Sequence, residues 1–321
     1  MQVADAKIIQ KVVVLGTGGT IAGTAASASD HTGYTAGQLG VQHLLDAVPG
    51  LNDALQGAAL VGEQVAQLDS KDMDHATWQA LALRCTHWLA QPDVGGIVIT
   101  HGTDTLEETA WFLQQVLHTT KPVVLTCAMR PATALTPDGP QNLLDAMAVV
   151  CDPMARGVLA VCAGRIHSAR DVQKVHPYRL DAFSSGESGP RGWVEQGRVR
   201  WAGPCHAPEP HPHYLQALVQ SSVDWPWVEV LHSHAGADVR HVRALVAAGV
   251  NGLVVAGSGN GTVHQSLLTA LAEAQTLGVA VRLVSRCTEG QIVGLPAALP
   301  LAPLGLNAYK ARVSLVLDCC S

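Results

Sequence analysis

Two threonines in nearly matching frames carry the strongest chemical signal in the chain: Gly16-Thr17-Gly18-Gly19-Thr20-Ile21 near the start, and Thr100-His101-Gly102-Thr103-Asp104-Thr105 further on. A threonine hydroxyl becomes a competent nucleophile beside a proton acceptor, and the acyl-enzyme it forms splits one hard step into two. Both turns follow β-branched apolar runs, Val12-Val13-Val14-Leu15 and Gly96-Ile97-Val98-Ile99, of the kind that become buried parallel strands. In an open α/β sheet the carboxyl ends of such strands line the binding crevice. Each turn is expected to hand over to a helix whose N-terminus stabilises developing negative charge. Two hydroxyls and the Asp104 carboxylate in one crevice point to acyl transfer, with the carboxylate able to anchor a substrate ammonium group.

Each of these residues also has a plainer role open to it. Thr20, Thr103 and Asp104 are ordinary helix caps. Lys174, in Arg170-Asp171-Val172-Gln173-Lys174, is a surface amine by default, and turns into a base only where burial beside Asp104 and Thr103 lowers its pKa. Tyr34, in His31-Thr32-Gly33-Tyr34-Thr35-Ala36-Gly37, is either an exposed loop tyrosine or part of a lid over the first turn. A nucleotide site is rejected by spacing: Ile21 stands where a third glycine is needed, and no Gly-Lys-Ser/Thr follows. The glycines instead let the backbone approach a small bound group and leave Thr20 exposed at the turn. No Gly-x-Ser-x-Gly elbow is present. His206, His211 and His213 lack metal-site spacing and sit among prolines, so no metal site is expected.

The elements that must hold these turns alternate between strand-like and helix-like through the first two hundred residues, as in βαβ units around a parallel sheet. Leu106, Ala110, Leu113 and Leu117 share one helical face, with Thr105 and Glu108 spaced as a capping box. Residues 122–127 and 157–163 read as buried strands, and Asp138-Gly139-Pro140 opens a helix. The proline-rich stretch from Gly203 to Pro212 stops both helix and sheet. The expected organisation is an N-terminal catalytic α/β domain over 1–202, a linker over 203–225 and a smaller C-terminal α/β domain over 226–321. In the last of these, strands over 228–231, 252–256 and 279–284 alternate with helices over 238–248 and 263–277.

At 321 residues, two domains are the sensible expectation. A content of 48% hydrophobic and 14% charged residues describes a globular chain, and a net charge of −6 offers no basic face to a nucleic acid. No run is long enough to span a membrane, and no secretory leader pattern opens the chain. The eight cysteines form no CxxC pair. Cys127 and Cys162 lie inside strand-like runs and read as small buried apolar residues, so a cytoplasmic location is expected.

At these residues the chain resembles the bacterial L-asparaginase family, in particular its homotetrameric type II-like amidohydrolases. The resemblance rests on Thr17-Gly18-Gly19-Thr20-Ile21-Ala22-Gly23, on Ile99 to Thr109, on Ala128-Met129-Arg130-Pro131, on Asp138-Gly139-Pro140 and on Arg170 to Lys174. Gly257-Ser258-Gly259-Asn260-Gly261 and Lys310-Ala311-Arg312-Val313 complete it, in family order along nearly the whole chain.

The resemblance implies that Thr20 attacks the side-chain amide of L-asparagine, with Tyr34 positioning or deprotonating it. Thr103, Lys174 and Asp104 would form a second catalytic group. Ser70 would hold the α-carboxylate, Asp104 the α-ammonium, and Gly19, Gly102 and Asn260 would complete the substrate site, Asn260 at a neighbouring subunit's cleft. It further implies cofactor-free hydrolysis with minor glutaminase activity and a homo-oligomer, a dimer of intimate dimers.

Three departures stand out. Lys71 replaces a glutamine usual in secreted members and would point inward to the α-carboxylate or outward to water. The segment between Arg286 and Lys310 shows no match to the glutamate that reaches a neighbour's site, since Glu289 falls in a different context. Neither family disulfide cysteine is recognisable. An amidase subunit of a tRNA-dependent amidotransferase would instead call for an added N-terminal domain and a basic RNA-facing surface. An amino-acid sensor would have no need of the threonine pair.

Overall fold

The computed structural model describes residues 10–204, 212–294, 299–303 and 305–320. The chain divides into two compact units, Met1–Pro210 and His211–Ser321.

In the first unit, β1 (Lys11–Gly18) is followed by α1 (Val41–Asp46), α2 (Leu51–Ala54), β2 (Ala59–Leu68), α3 (His75–Leu89), β3 (Val94–Thr100), α4 (Leu106–Val116) and β4 (Val123–Thr126). Then come α5 (Gly139–Cys151), β5 (Val158–Cys162), β6 (Arg165–Ser168), β7 (Gln173–Lys174), β8 (Phe183–Ser184), β9 (Gly192–Glu195) and β10 (Arg198–Trp201). Eight of these strands form one sheet in the order β10-β9-β6-β5-β4-β3-β1-β2. The five strands from β5 to β2 are parallel; the apolar runs predict four of them, β1, β3, β4 and β5, but not β2, and β6, β9 and β10 add an antiparallel edge. That edge escapes a reading of periodicity because its strands are only four residues long and two of them, β6 and β10, carry arginines. The hairpin of β7 and β8 stands apart as its own two-stranded sheet.

The parallel strands are covered on both faces, which is why their cores are continuous β-branched runs. Val12, Val14, Val98 and Val124 pack with α1, α2 and α5 in one cluster, while α3 lies against β2 and β3, and α4 against β5. Leu106, Ala110, Leu113 and Leu117 are all buried, the face that their spacing predicts. The capping box does not form: the Thr105 side chain caps no helix N–H, because its hydroxyl donates to the Ser70 carbonyl at 2.8 Å instead.

In the second unit, α6 (Gln216–Val219) precedes β11 (Val228–His232), α7 (Arg240–Ala247), β12 (Gly252–Gly257), α8 (Gln265–Thr276), β13 (Ala280–Ser285) and α9 (Ala308–Cys320). The strands form a parallel three-stranded sheet in the order β11-β12-β13, with α9 packed on all three. Part of the stretch expected as linker packs inside this unit: the Tyr214 hydroxyl donates to Asp318 at 2.6 Å and Gln220 to the Cys320 carbonyl at 2.9 Å. The division between units therefore falls at Pro210, and residues 212–225 are part of the second fold. Cys205, His206 and His211 lie outside the described residues. The seven described cysteines are free thiols, and Cys127 and Cys162 are buried as expected.

Candidate active site

β1 and β3 are neighbours in parallel register, Gly16 opposite Thr100, so their carboxyl ends deliver both threonine turns to one place. The Thr17 hydroxyl donates to the Thr100 carbonyl at 3.0 Å and ties the strand ends together. Beyond this bond Gly19 sits at φ +79°, and a Cβ there would collide with the backbone of Gly102. A Cβ on Gly102 would in turn collide with the Ser70 side chain. Gly19 and Gly102, expected as substrate contacts, thus have a structural task as well: without side chains they let three loops close around Thr20, Thr103 and Ser70.

Two expectations about Thr20 are corrected. The chain after it forms a single 3-10 turn, Thr20–Ala22, and no α-helix, so no macrodipole is built behind this hydroxyl. Thr20 is also buried and not exposed at its turn. It caps nothing, since Gly19 occupies the cap position. Its Oγ1 lies 2.6 Å from the Tyr34 hydroxyl.

Tyr34 reaches it from a segment that folds back on the first turn. Thr24 and Thr35 bridge each other in antiparallel fashion. Ala132 N–H donates to the Gly23 carbonyl at 2.9 Å, Ala25 N–H to Thr133 Oγ1 at 2.8 Å, and Leu135 N–H to the Ala28 carbonyl at 3.0 Å. The turn that supplies these partners is held by Asp138, whose carboxylate accepts from the N–H groups of Met129 and Arg130, each at 2.9 Å. Burial raises the Tyr34 pKa, the Thr20 contact lowers it, and the Asp69 and Asp104 carboxylates raise it further. The phenol accordingly keeps its proton in the neutral range.

Thr103 is likewise buried. Lys174 Nζ donates to Thr103 Oγ1 at 2.8 Å and to Asp104 Oδ1 at 2.5 Å. The lysine side chain is only 18% exposed, against 52% for Asp104, so this amine is no free surface group. Because Thr103 Oγ1 accepts from the ammonium, its own proton is left to point elsewhere. Ser70 repeats that arrangement: its buried Oγ accepts from Asp104 N–H at 3.1 Å, leaving its proton for another acceptor.

Lys71 points outward. Its side chain is 60% exposed and pairs with Asp72 at 2.5 Å and Asp69 at 3.5 Å. Asn260 lies in the second unit, where its amide exchanges two hydrogen bonds with the Val293 backbone, at 2.7 and 2.8 Å. Among the described residues no group of three or more His, Cys, Asp or Glu is disposed to hold a metal, and His213 is exposed.

One residue of the second motif went unassigned. His101 is fully buried, and its Nδ1–H donates to the Gly102 carbonyl at 2.7 Å, the only role open to it opposite a carbonyl. Burial pushes its pKa down to about 4, so it is a neutral brace for the Thr103 turn. Its flanking Thr100 and Gly102 marked a turn, but nothing local said that the imidazole would be sealed beneath it.

The chain matches the model of the N-terminal asparaginase domain over residues 11–206 and that of the glutaminase/asparaginase C-terminal domain over 227–317. It is 37% identical over 318 residues to L-asparaginase 2 of Escherichia coli, covering 96% of this chain and 88% of that protein. It is 38% identical over 323 residues to the glutaminase-asparaginase of Pseudomonas aeruginosa, covering 97% and 87%. The crystal structure of a probable cytoplasmic L-asparaginase from Campylobacter jejuni superposes with a TM-score of 0.89 at 37% identity, covering 97% of this chain and 95% of that one. With both domain models matched in order, and relatives of this identity spanning nearly its whole length, the chain belongs to the asparaginase family.

Proposed function

We propose that the protein is an L-asparagine amidohydrolase that releases ammonia and L-aspartate through a Thr20 acyl-enzyme, with minor activity on L-glutamine. One observation carries the reading: each threonine hydroxyl sits against its own proton-carrying partner, Tyr34 for Thr20 and Lys174 for Thr103. Thr20 Oγ attacks the side-chain carbonyl carbon, passing its proton to the Tyr34 hydroxyl as that phenol gives up its own. A phenol with a raised pKa acts in this way as a relay and not as a standing base. The Thr103 hydroxyl, oriented by the Lys174 ammonium, protonates the leaving nitrogen and takes the proton released by Tyr34 in its place, so that the nucleophile's proton ends on nitrogen, the C–N bond breaks and ammonia departs. Water then attacks the ester carbon and restores Thr20. Ser70 donates to the α-carboxylate, and Asp104, with one oxygen on Lys174, offers the other to the α-ammonium.

Relatives named for both amides support the dual specificity, since one methylene discriminates by only about 1–3 kcal/mol. The assembly we infer is a homo-oligomer, a dimer of intimate dimers, in which Asn260 serves a neighbouring subunit's site. Light scattering of the active enzyme checks this, and a fully active monomer contradicts it. A cytoplasmic location accords with seven free thiols and with the printed name of the Campylobacter jejuni structure. Among the described residues no helix is long and apolar enough to cross a membrane.

The deciding experiment is ammonia release from L-Asn, D-Asn and L-Gln by purified protein, alongside Thr20→Ala. We expect L-Asn to be turned over fastest, and Thr20→Ala to remain folded with turnover lower by roughly three orders of magnitude or more. Binding of L-Asn without turnover would convert the reading to that of an amino-acid sensor. Near-normal turnover by Thr20→Ala would end the covalent mechanism.

A further inference from the structure

Lys174 has to bring its ammonium between Thr103 and Asp104, yet the hairpin that carries it forms no ladder with the eight-stranded sheet. Side-chain bonds alone would leave a long, flexible lysine to find its place from a movable origin. The main chain supplies a second grip. Lys174 N–H donates to Glu107 Oε2 at 2.6 Å, and Glu107 is 6% exposed. A short bond from an amide to a carboxylate away from water is among the stronger hydrogen bonds a protein makes.

Glu107 is the second residue of α4, in the stretch that also delivers Thr103 and Asp104. One rigid segment therefore holds Lys174 at both ends, its Nζ through Thr103 and Asp104 and its N–H through Glu107. A carboxylate suits this place, because the first turn of a helix favours negative charge. Ser185, the residue just after the hairpin's other strand, makes a separate buried contact, its Oγ lying 2.8 Å from His167 Nδ1.

We propose that Glu107 is the positioning residue for Lys174, gripping its main-chain N–H so that the ammonium lands on Thr103 Oγ1. The inference rests on the Thr103–Lys174 pair acting in the reaction. Glu107 itself touches no reacting atom.

The test is a double-mutant cycle on purified enzyme, with kcat and KM for L-Asn and a thermal melt for each protein. Glu107→Leu removes the acceptor at similar volume, Glu107→Asp keeps the charge but falls short by a methylene, and Glu107→Gln keeps an acceptor within reach. We expect Leu and Asp to lower kcat about 10- to 100-fold, the scale of an ångström's misplacement, with KM changed less than about threefold. Glu107→Gln should restore kcat to within about fivefold of the parent. In a Lys174→Met background, Glu107→Leu and Glu107→Asp should lower kcat no further, because the group they position is gone. Equal losses in both backgrounds, or a parental kcat in Glu107→Asp, would overturn the positioning role. Full turnover by Lys174→Met alone would instead overturn the Thr103–Lys174 reading, and the inference with it.

Discussion

The Thr17 hydroxyl bonds the Thr100 carbonyl across 3.0 Å, and this places the two threonine turns in step at the ends of adjacent strands. Immediately beyond, Gly19 meets the backbone of Gly102 with no room for a Cβ. Gly19→Ala should therefore do two kinds of damage, forcing alanine to φ +79° and pushing the turns apart. A loss of about 2 kcal/mol or more is expected, together with most of the turnover. Thermal melts and ammonia release check it; an alanine variant with the parental melt and rate would show that the turns need not touch.

Tyr34→Phe deletes the 2.6 Å partner of Thr20 while keeping the ring. Loss of proton transfer in the transition state should lower kcat by about 10²–10³ and leave KM nearly unchanged. Burial raises the Tyr34 pKa, so the phenol is protonated throughout the neutral range. Its relay role predicts a kcat that is flat between about pH 7 and 9. A rate climbing tenfold per pH unit there would mean that phenolate is the active form.

His101 gives the fold an acid weakness. Its pKa falls from 6.5 to about 4 on burial, so between those values the unfolded chain holds a proton that the folded chain does not. Stability from this group is complete above about pH 6.5 and declines as pH drops toward 4, by on the order of 3 kcal/mol. His101→Asn keeps a donor for the Gly102 carbonyl without the titration. Urea midpoints at pH 7.5 and 4.5 should drop less in the variant, and an identical drop would remove His101 from the cause.

Lys71 pairs with Asp72 and faces water. Lys71→Gln should accordingly leave both KM and kcat for L-Asn within about twofold, since exposed pairs contribute little. A KM raised severalfold would mean that the ammonium turns inward on substrate and joins Ser70 at the α-carboxylate.

Local order along the chain was enough to place four of the five parallel strands of the large sheet, the buried face of α4 and the three-stranded sheet of the second unit. Such elements are encoded by contiguous runs such as Val12-Val13-Val14-Leu15, whose period and branching act within a few residues. The strand β2 left no such mark, since it lies at the sheet edge with most residues only partly buried. The frames around Thr20 and Thr103 were legible because glycines and small hydroxyls cluster there, but the choice between cap and nucleophile was not.

That choice depends on partners far away in sequence. Lys174 reaches Thr103 across a separation of 71 residues, and its side chain looks like any surface lysine until the hairpin is docked. The direction of Lys71, the sealing of His101 and the contact of Gly19 with Gly102 are likewise products of convergence. Sequence by itself determined which residues could do chemistry and which strands would present them. Tertiary structure decided which hydroxyl meets which proton carrier, because a hydrogen bond requires placement to a few tenths of an ångström and only packing between distant segments supplies it.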